Sequence, residues 1–153
     1  MSIADHSYDF TERLDITRGW NLMRIATGAF FFPHVAGKFT GSGDFNPMAL
    51  SFFEAAGFTP AAYFVGFTAM LEVAVGIALV LGVFTTYAAL TGMLILLTAV
   101  YALHSVTGFK AWVWNSGGYE YPVFWAIACL AVALEAFRQR REPGDGPTTA
   151  AAS

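Results

Sequence analysis

Charged side chains are scarce in this sequence: they make up 12% of its 153 residues, against 56% hydrophobic. Soluble domains carry roughly a quarter charged residues, so this chain lacks the polar surface to stay dissolved. Cysteine is almost missing too. The single thiol, Cys129, excludes an internal disulfide and a CxxC redox pair. Its place in an apolar run reads as a packed, inert thiol. A formal charge of −3 without a basic patch offers nothing to nucleic acid. No phosphate loop, metal-ligand cluster or nucleophile triad is visible, so a catalytic role for the chain alone is not expected. A cleavable leader is not expected either. Residues 1–17 are polar and acidic (Asp5, Asp9, Glu12, Asp15), unlike a basic region leading into an apolar stretch.

What the sequence has is apolar length. A membrane span needs about 20 largely apolar residues. Four stretches approach this: 19–36, 61–83, 87–104 and 121–137. Merging the second and third would exceed any bilayer even when tilted, so Phe84-Thr85-Thr86 marks a tight reversal. The expectation is an all-α integral membrane four-helix bundle over residues 18–137. Residues 1–17 form an N-terminal segment, and 138–153 a disordered tail rich in Pro, Gly, Ala and Thr. Fifteen Phe and fifteen Gly suit lipid-facing bulk and close helix contacts. Between the first two stretches, Pro47 to Ala56 reads as a short interfacial helix, with proline in its first turn and Gly57 as its cap.

Orientation follows from Lys and Arg placement. Arg13, Arg18, Arg138, Arg140 and Arg141 flank the chain ends, and the opposite loops carry only Lys38 and Lys110. Both termini are therefore expected in the cytoplasm.

Ionisable groups inside spans cost several kcal/mol unless paired. Arg24, Gly28, Phe31, His34 and Lys38 share a stripe roughly 120° wide at 100° per residue, which should face the bundle interior. Glu72 lies near the middle of the second span, with Gly76, Leu79 and Gly82 continuing its face. Arg24 lies about 8 Å and Glu72 about 16 Å from the cytoplasmic end at 1.5 Å per residue. A long Arg side chain can bridge that gap, so Arg24 and Glu72 are read as a buried ion pair or proton site. A purely structural interhelix pair is the competing reading. Glu135 is another partner for Arg24, unless Arg138, one turn later, claims it.

At the opposite level stand His34, Lys38, His104, Trp112, Trp114, Asn115, Tyr119, Glu120 and Tyr121. Together they form a cluster of donors, acceptors and aromatic faces above an apolar bundle. Such a cluster could hold a quinone or another amphiphilic molecule, its head hydrogen-bonded and its tail in lipid. Taken singly, each residue also suits helix capping or headgroup anchoring. His34 and His104 at equal depth permit haem ligation from two helices without requiring it.

These residues resemble the DoxX family of small four-helix membrane proteins. Arg24, Gly28, His34, Gly37 and Lys38 are similar to its first-span pattern, with Val35 where a glycine is usual. Glu72, Gly76, Leu79 and Gly82 are similar to its second helix. His104 with Gly108-Phe109, then Asn115 through Pro122, resemble its later blocks. The likeness covers about residues 18–137. It implies membership of a membrane redox assembly, with other subunits of a quinone-linked oxidoreductase complex as partners besides the lipid bilayer. In that setting His34, Lys38 and Glu120 would contact the quinone head.

Overall fold

The computed structural model describes residues 10–108, 112–113 and 118–141. In chain order its helices are α1 (Phe10–Leu14), α2 (Gly19–Ala29), α3 (Phe31–Ala36), α4 (Pro47–Ala55), α5 (Ala61–Leu81), α6 (Thr85–Thr107) and α7 (Glu120–Arg141). Among the described residues the only strand-like pairing is an isolated bridge between Phe39 and Phe45. Of these helices, α5, α6 and α7 are long and apolar enough to cross a membrane, with mean hydropathies of 2.3, 1.8 and 1.5. The protein is a helical, multi-pass membrane protein.

Large apolar side chains point outward on all three. Phe67, Met70 and Ile77 on α5, Leu94 on α6, and Ile127 and Leu134 on α7 are exposed, and a bilayer covers them with hydrocarbon. The interior instead uses smaller groups and a few large ones. Phe31, Val75, Leu79, Ala89, Leu96, Trp125, Cys129 and Val132 form one buried cluster.

The stretch 19–36 is two helices, interrupted at Phe30. Pro33 accounts for the break. It has no N–H for the carbonyl of Ala29, and its ring crowds that carbonyl, so an uninterrupted helix through this point is strained. In the first turn of a new helix the missing N–H is harmless, and Pro33 occupies that turn of α3. The indole Nε1 of Trp125 on α7 donates to the Thr27 carbonyl at 3.2 Å, tying the segment before the break to α7.

Helices α2 and α3 pack mainly on α5, and α6 packs along α7. Glycine sets the closest approach. A Cβ at Gly28 would stand 2.7 Å from Leu79 Cβ and 3.0 Å from the Gly76 carbonyl oxygen. Side-chain bulk at that crossing would force α2 and α5 apart.

Three residues, 82–84, reverse the chain between α5 and α6. Gly82 (φ 68°) and Phe84 (φ 48°) both adopt left-handed backbone. Successive helices are therefore antiparallel, and the bundle has a termini end, where α2 begins and α7 finishes, and a loop end. At the termini end Arg140 lies over the Tyr87 ring, 5.5 Å from its centroid. At the loop end α4 packs against α5 and α6, its N-terminus capped by the Asn46 side chain accepting from Met48 N at 3.0 Å.

Candidate functional site: buried charges and an aromatic cleft

Arg24 and Glu72 are both buried, but they do not pair with each other. This corrects the ion pair expected from their depths. The Arg24 side chain runs toward the termini end, where Nη1 donates to the carbonyls of Leu79 and Val80 and Nη2 to that of Arg13. These oxygens belong to the last turn of α5, the negative end of the helix dipole, where the Leu79 carbonyl also accepts from Gly82 N at 3.2 Å and the Val80 carbonyl has no following turn to satisfy it. Arg13 adds a second cation there, donating from Nη1 to the Gly82 carbonyl at 3.2 Å. A guanidinium is suited to this because its fork serves several oxygens at once. The Arg24 group fills the place a side chain at position 82 would take, with Nη1 2.8 Å from an ideal Cβ. Gly82 is thus required by its backbone angle and by the cation beside it.

Glu72 lies two turns earlier in α5, toward the loop end, and is met from the other direction. Lys38 Nζ donates to Glu72 Oε1 at 2.8 Å and Oε2 at 2.6 Å. The side chains are 12% and 7% exposed, so the contact is dry enough to matter energetically. The loop after α3 holds Lys38 in place. Asn46 N donates to the Lys38 carbonyl at 2.9 Å, Asn46 Nδ2 to the Gly37 carbonyl at 3.0 Å, and Phe39 stacks on Phe45 at 5.5 Å. Glu135, the other carboxylate considered for Arg24, accepts from Arg138 and Gln139 on its own helix.

Of the residues expected to cluster at the loop end, the structure brings three into one cleft. His34, Glu120 and Tyr121, joined by Phe124, line a space of about 480 Å³ between α3 and α7. The His34 ring stacks on Tyr121 (6.2 Å, 15°) and tilts over Trp125 at 5.1 Å. Trp125, 4% exposed, also packs on Phe31 at 4.4 Å, so this indole holds His34 from beneath. Among the described residues, the ring nitrogens of His34, the carboxylate of Glu120 and the hydroxyl of Tyr121 make no intrachain hydrogen bond.

The other candidates are placed differently. Lys38 turns away to Glu72. His104 sits half-buried in the last turn of α6 and is not part of the cleft lining. Trp112 and Tyr119 pack edge to face at 5.4 Å, and the Trp112 carbonyl accepts from Glu120 N at 3.1 Å, which anchors the start of α7. Trp114 and Asn115 lie outside the described residues. Phe124 and Trp125 were not singled out in the sequence, although they follow Tyr121 at the i+3 and i+4 spacing that puts helix residues on one face.

The cleft has the dimensions and chemistry of a small-molecule site: ligand pockets span about 300–1,000 Å³ and pair apolar walls with a few polar groups. Aromatic rings form its walls and hydrogen-bonding groups stand at its rim. A membrane bundle with sequestered charges and such a cleft defines the class. The family model DoxX matches residues 19–105, more than half of the 153, and the chain belongs to that family. The match includes Arg24, His34, Lys38 and Glu72, whereas the α7 wall of the cleft lies beyond it. No curated protein and no solved structure matches the chain.

Proposed function

We propose that the protein is a membrane subunit of a quinone-linked oxidoreductase complex, anchoring partner subunits that carry the redox centres. The cleft lined by His34, Glu120, Tyr121 and Phe124 is the observation that supports this reading. It combines aromatic walls with polar groups that have no intrachain partner among the described residues, as an amphiphilic aromatic head requires. In this reading the stretch 19–36, α2 and α3 together, is a fourth crossing. Arginine enrichment at the termini end supports an orientation with that end in the cytoplasm and the cleft near the outer face of the bacterial inner membrane. The test is a mild-detergent pull-down with bound proteins and lipids identified together. Co-purified quinone and a redox enzyme support the proposal; recovery of neither ends it.

A second reading is a non-catalytic assembly subunit. It draws support from Arg24, Lys38 and Glu72, whose charged groups are all engaged within the chain. Substitution of His34 and of Glu72 separates the two. If loss of electron transfer follows His34→Ala while the complex stays assembled, the cleft reading holds; loss of assembly in both variants favours the scaffold. Haem ligation through His34 and His104 is tested directly by an optical spectrum, in which a Soret band altered by His34→Ala would establish it.

A further inference from the structure

The hydrogen-bonding groups of the cleft are unevenly divided. A neutral imidazole brings one donor and one acceptor, a phenol hydroxyl one of each, and a carboxylate two acceptor oxygens and no donor. His34, Tyr121 and Glu120 supply these three sets, and none is satisfied within the chain among the described residues. Among the described residues, the cation that would favour a carbonyl ligand is withdrawn. Lys38, one turn from His34 and expected to share its site, donates to both oxygens of Glu72 instead. Arg24 is committed to carbonyls at the far end of the bundle.

We infer that the cleft selects the reduced, dihydroxy form of an aromatic carrier over its oxidised dione. The inference rests on the cleft being the head-group site. A dione only accepts hydrogen bonds. Against Glu120 it sets acceptor against acceptor and displaces the water that would otherwise satisfy the carboxylate, leaving a charged group without a partner. A hydroquinone carries two O–H donors: one meets the Glu120 carboxylate in a charge-assisted bond and the other the unprotonated nitrogen of His34. The Tyr121 hydroxyl then serves a lone pair of one phenolic oxygen. The ring walls do not discriminate, since Tyr121 and Phe124 can pack on either planar form. Selection therefore falls on Glu120, among the described lining residues the one polar group that cannot donate.

The experiment uses the full chain in mild detergent and equilibrium dialysis with a short-tailed benzoquinone and, anaerobically, its matching hydroquinone. The hydroquinone should bind roughly ten- to a hundredfold more tightly, the span expected of one hydrogen bond to a charged group made in one complex and missing in the other. In Glu120→Gln, whose amide can donate as well as accept, the preference should shrink to a few-fold. A wild-type chain that binds both forms equally, or the dione better, overturns the inference while leaving the head-group site standing. Binding of neither form removes the site and the inference together. An undiminished preference in Glu120→Gln overturns the role of Glu120.

Discussion

Adding one methyl group at Gly28 tests the packing of α2 against α5 most directly. The new Cβ would lie 2.7 Å from Leu79 Cβ and 3.0 Å from the Gly76 carbonyl oxygen. Carbon atoms rest at about 3.5–4.0 Å, so the helices must separate by about 1 Å. Both obstacles are fixed to the helix backbone and cannot rotate away. Overpacking of this kind costs about 1–3 kcal/mol. Alanine also favours helix over glycine by up to about 1 kcal/mol, so the comparison needs a glycine where only that gain operates. Gly19 supplies it, with nothing within 4 Å of its added Cβ. Gly92 is intermediate: its nearest neighbours, at 3.1–3.3 Å, are the ring edge of Phe31, a Val75 methyl and the Cys129 thiol, which can yield slightly. Equilibrium unfolding by SDS in mixed micelles should rank Gly19→Ala at or above wild type and Gly92→Ala about 1 kcal/mol below it. Gly28→Ala should be lowest, about 1–3 kcal/mol below the Gly19 control. If Gly28→Ala unfolds together with Gly19→Ala, the close approach of these two helices is wrong.

Three other perturbations have defined outcomes. Lys38→Met leaves the Glu72 carboxylate buried without its partner and should lower stability by about 3–5 kcal/mol, whereas adding Glu72→Leu should restore most of it; additive losses in the same unfolding assay would show the pair is uncoupled. Arg24→Leu strands the carbonyls of Val80 and Arg13 and should cost about 3 kcal/mol, with Arg24→Lys recovering less than half because an ammonium cannot fork; equal stability of the Lys variant and wild type would refute the capping role. At the surface, the hydroxyl and then the amide of Thr17 hold the Asp15 carboxyl below its ordinary value. A group lowered in the folded state stabilises above its unfolded value, about 3.9, and loses that contribution as pH falls through the folded one. Thr17→Val should move the Asp15 midpoint, followed by NMR, up toward the unfolded value, and an unmoved midpoint would exclude the hydroxyl as the cause.

The membrane class could be read from composition, because scarcity of charge and runs of apolar residues are properties of the sequence that folding does not alter. Fine structure within a span was harder to read. Matching Arg24 to Glu72 by depth assumed that a buried cation seeks an anion; its partners are backbone carbonyls at the end of α5, which every sequence contains and none advertises. The Lys38–Glu72 contact depends on a loop that folds the lysine back toward the mid-membrane, and stripe geometry on one helix does not report that. Pro33 is different. Its consequence for the first span follows from proline's missing N–H and was available from the residue alone. Phe124 and Trp125 looked like ordinary apolar filling until α3 was placed against them.

The reversal at 82–84 also constrains how the chain can enter a bilayer. Three residues cannot leave one helix waiting in water while the other crosses, so α5 and α6 insert as a single hairpin and return the polypeptide to the side it left. Arg24 then braces the turn of that hairpin from the preceding segment. Segments laid down before the hairpin are consequently stapled to its rim, and a variant that disrupts Gly82 should fail during assembly before any finished bundle exists to be weakened.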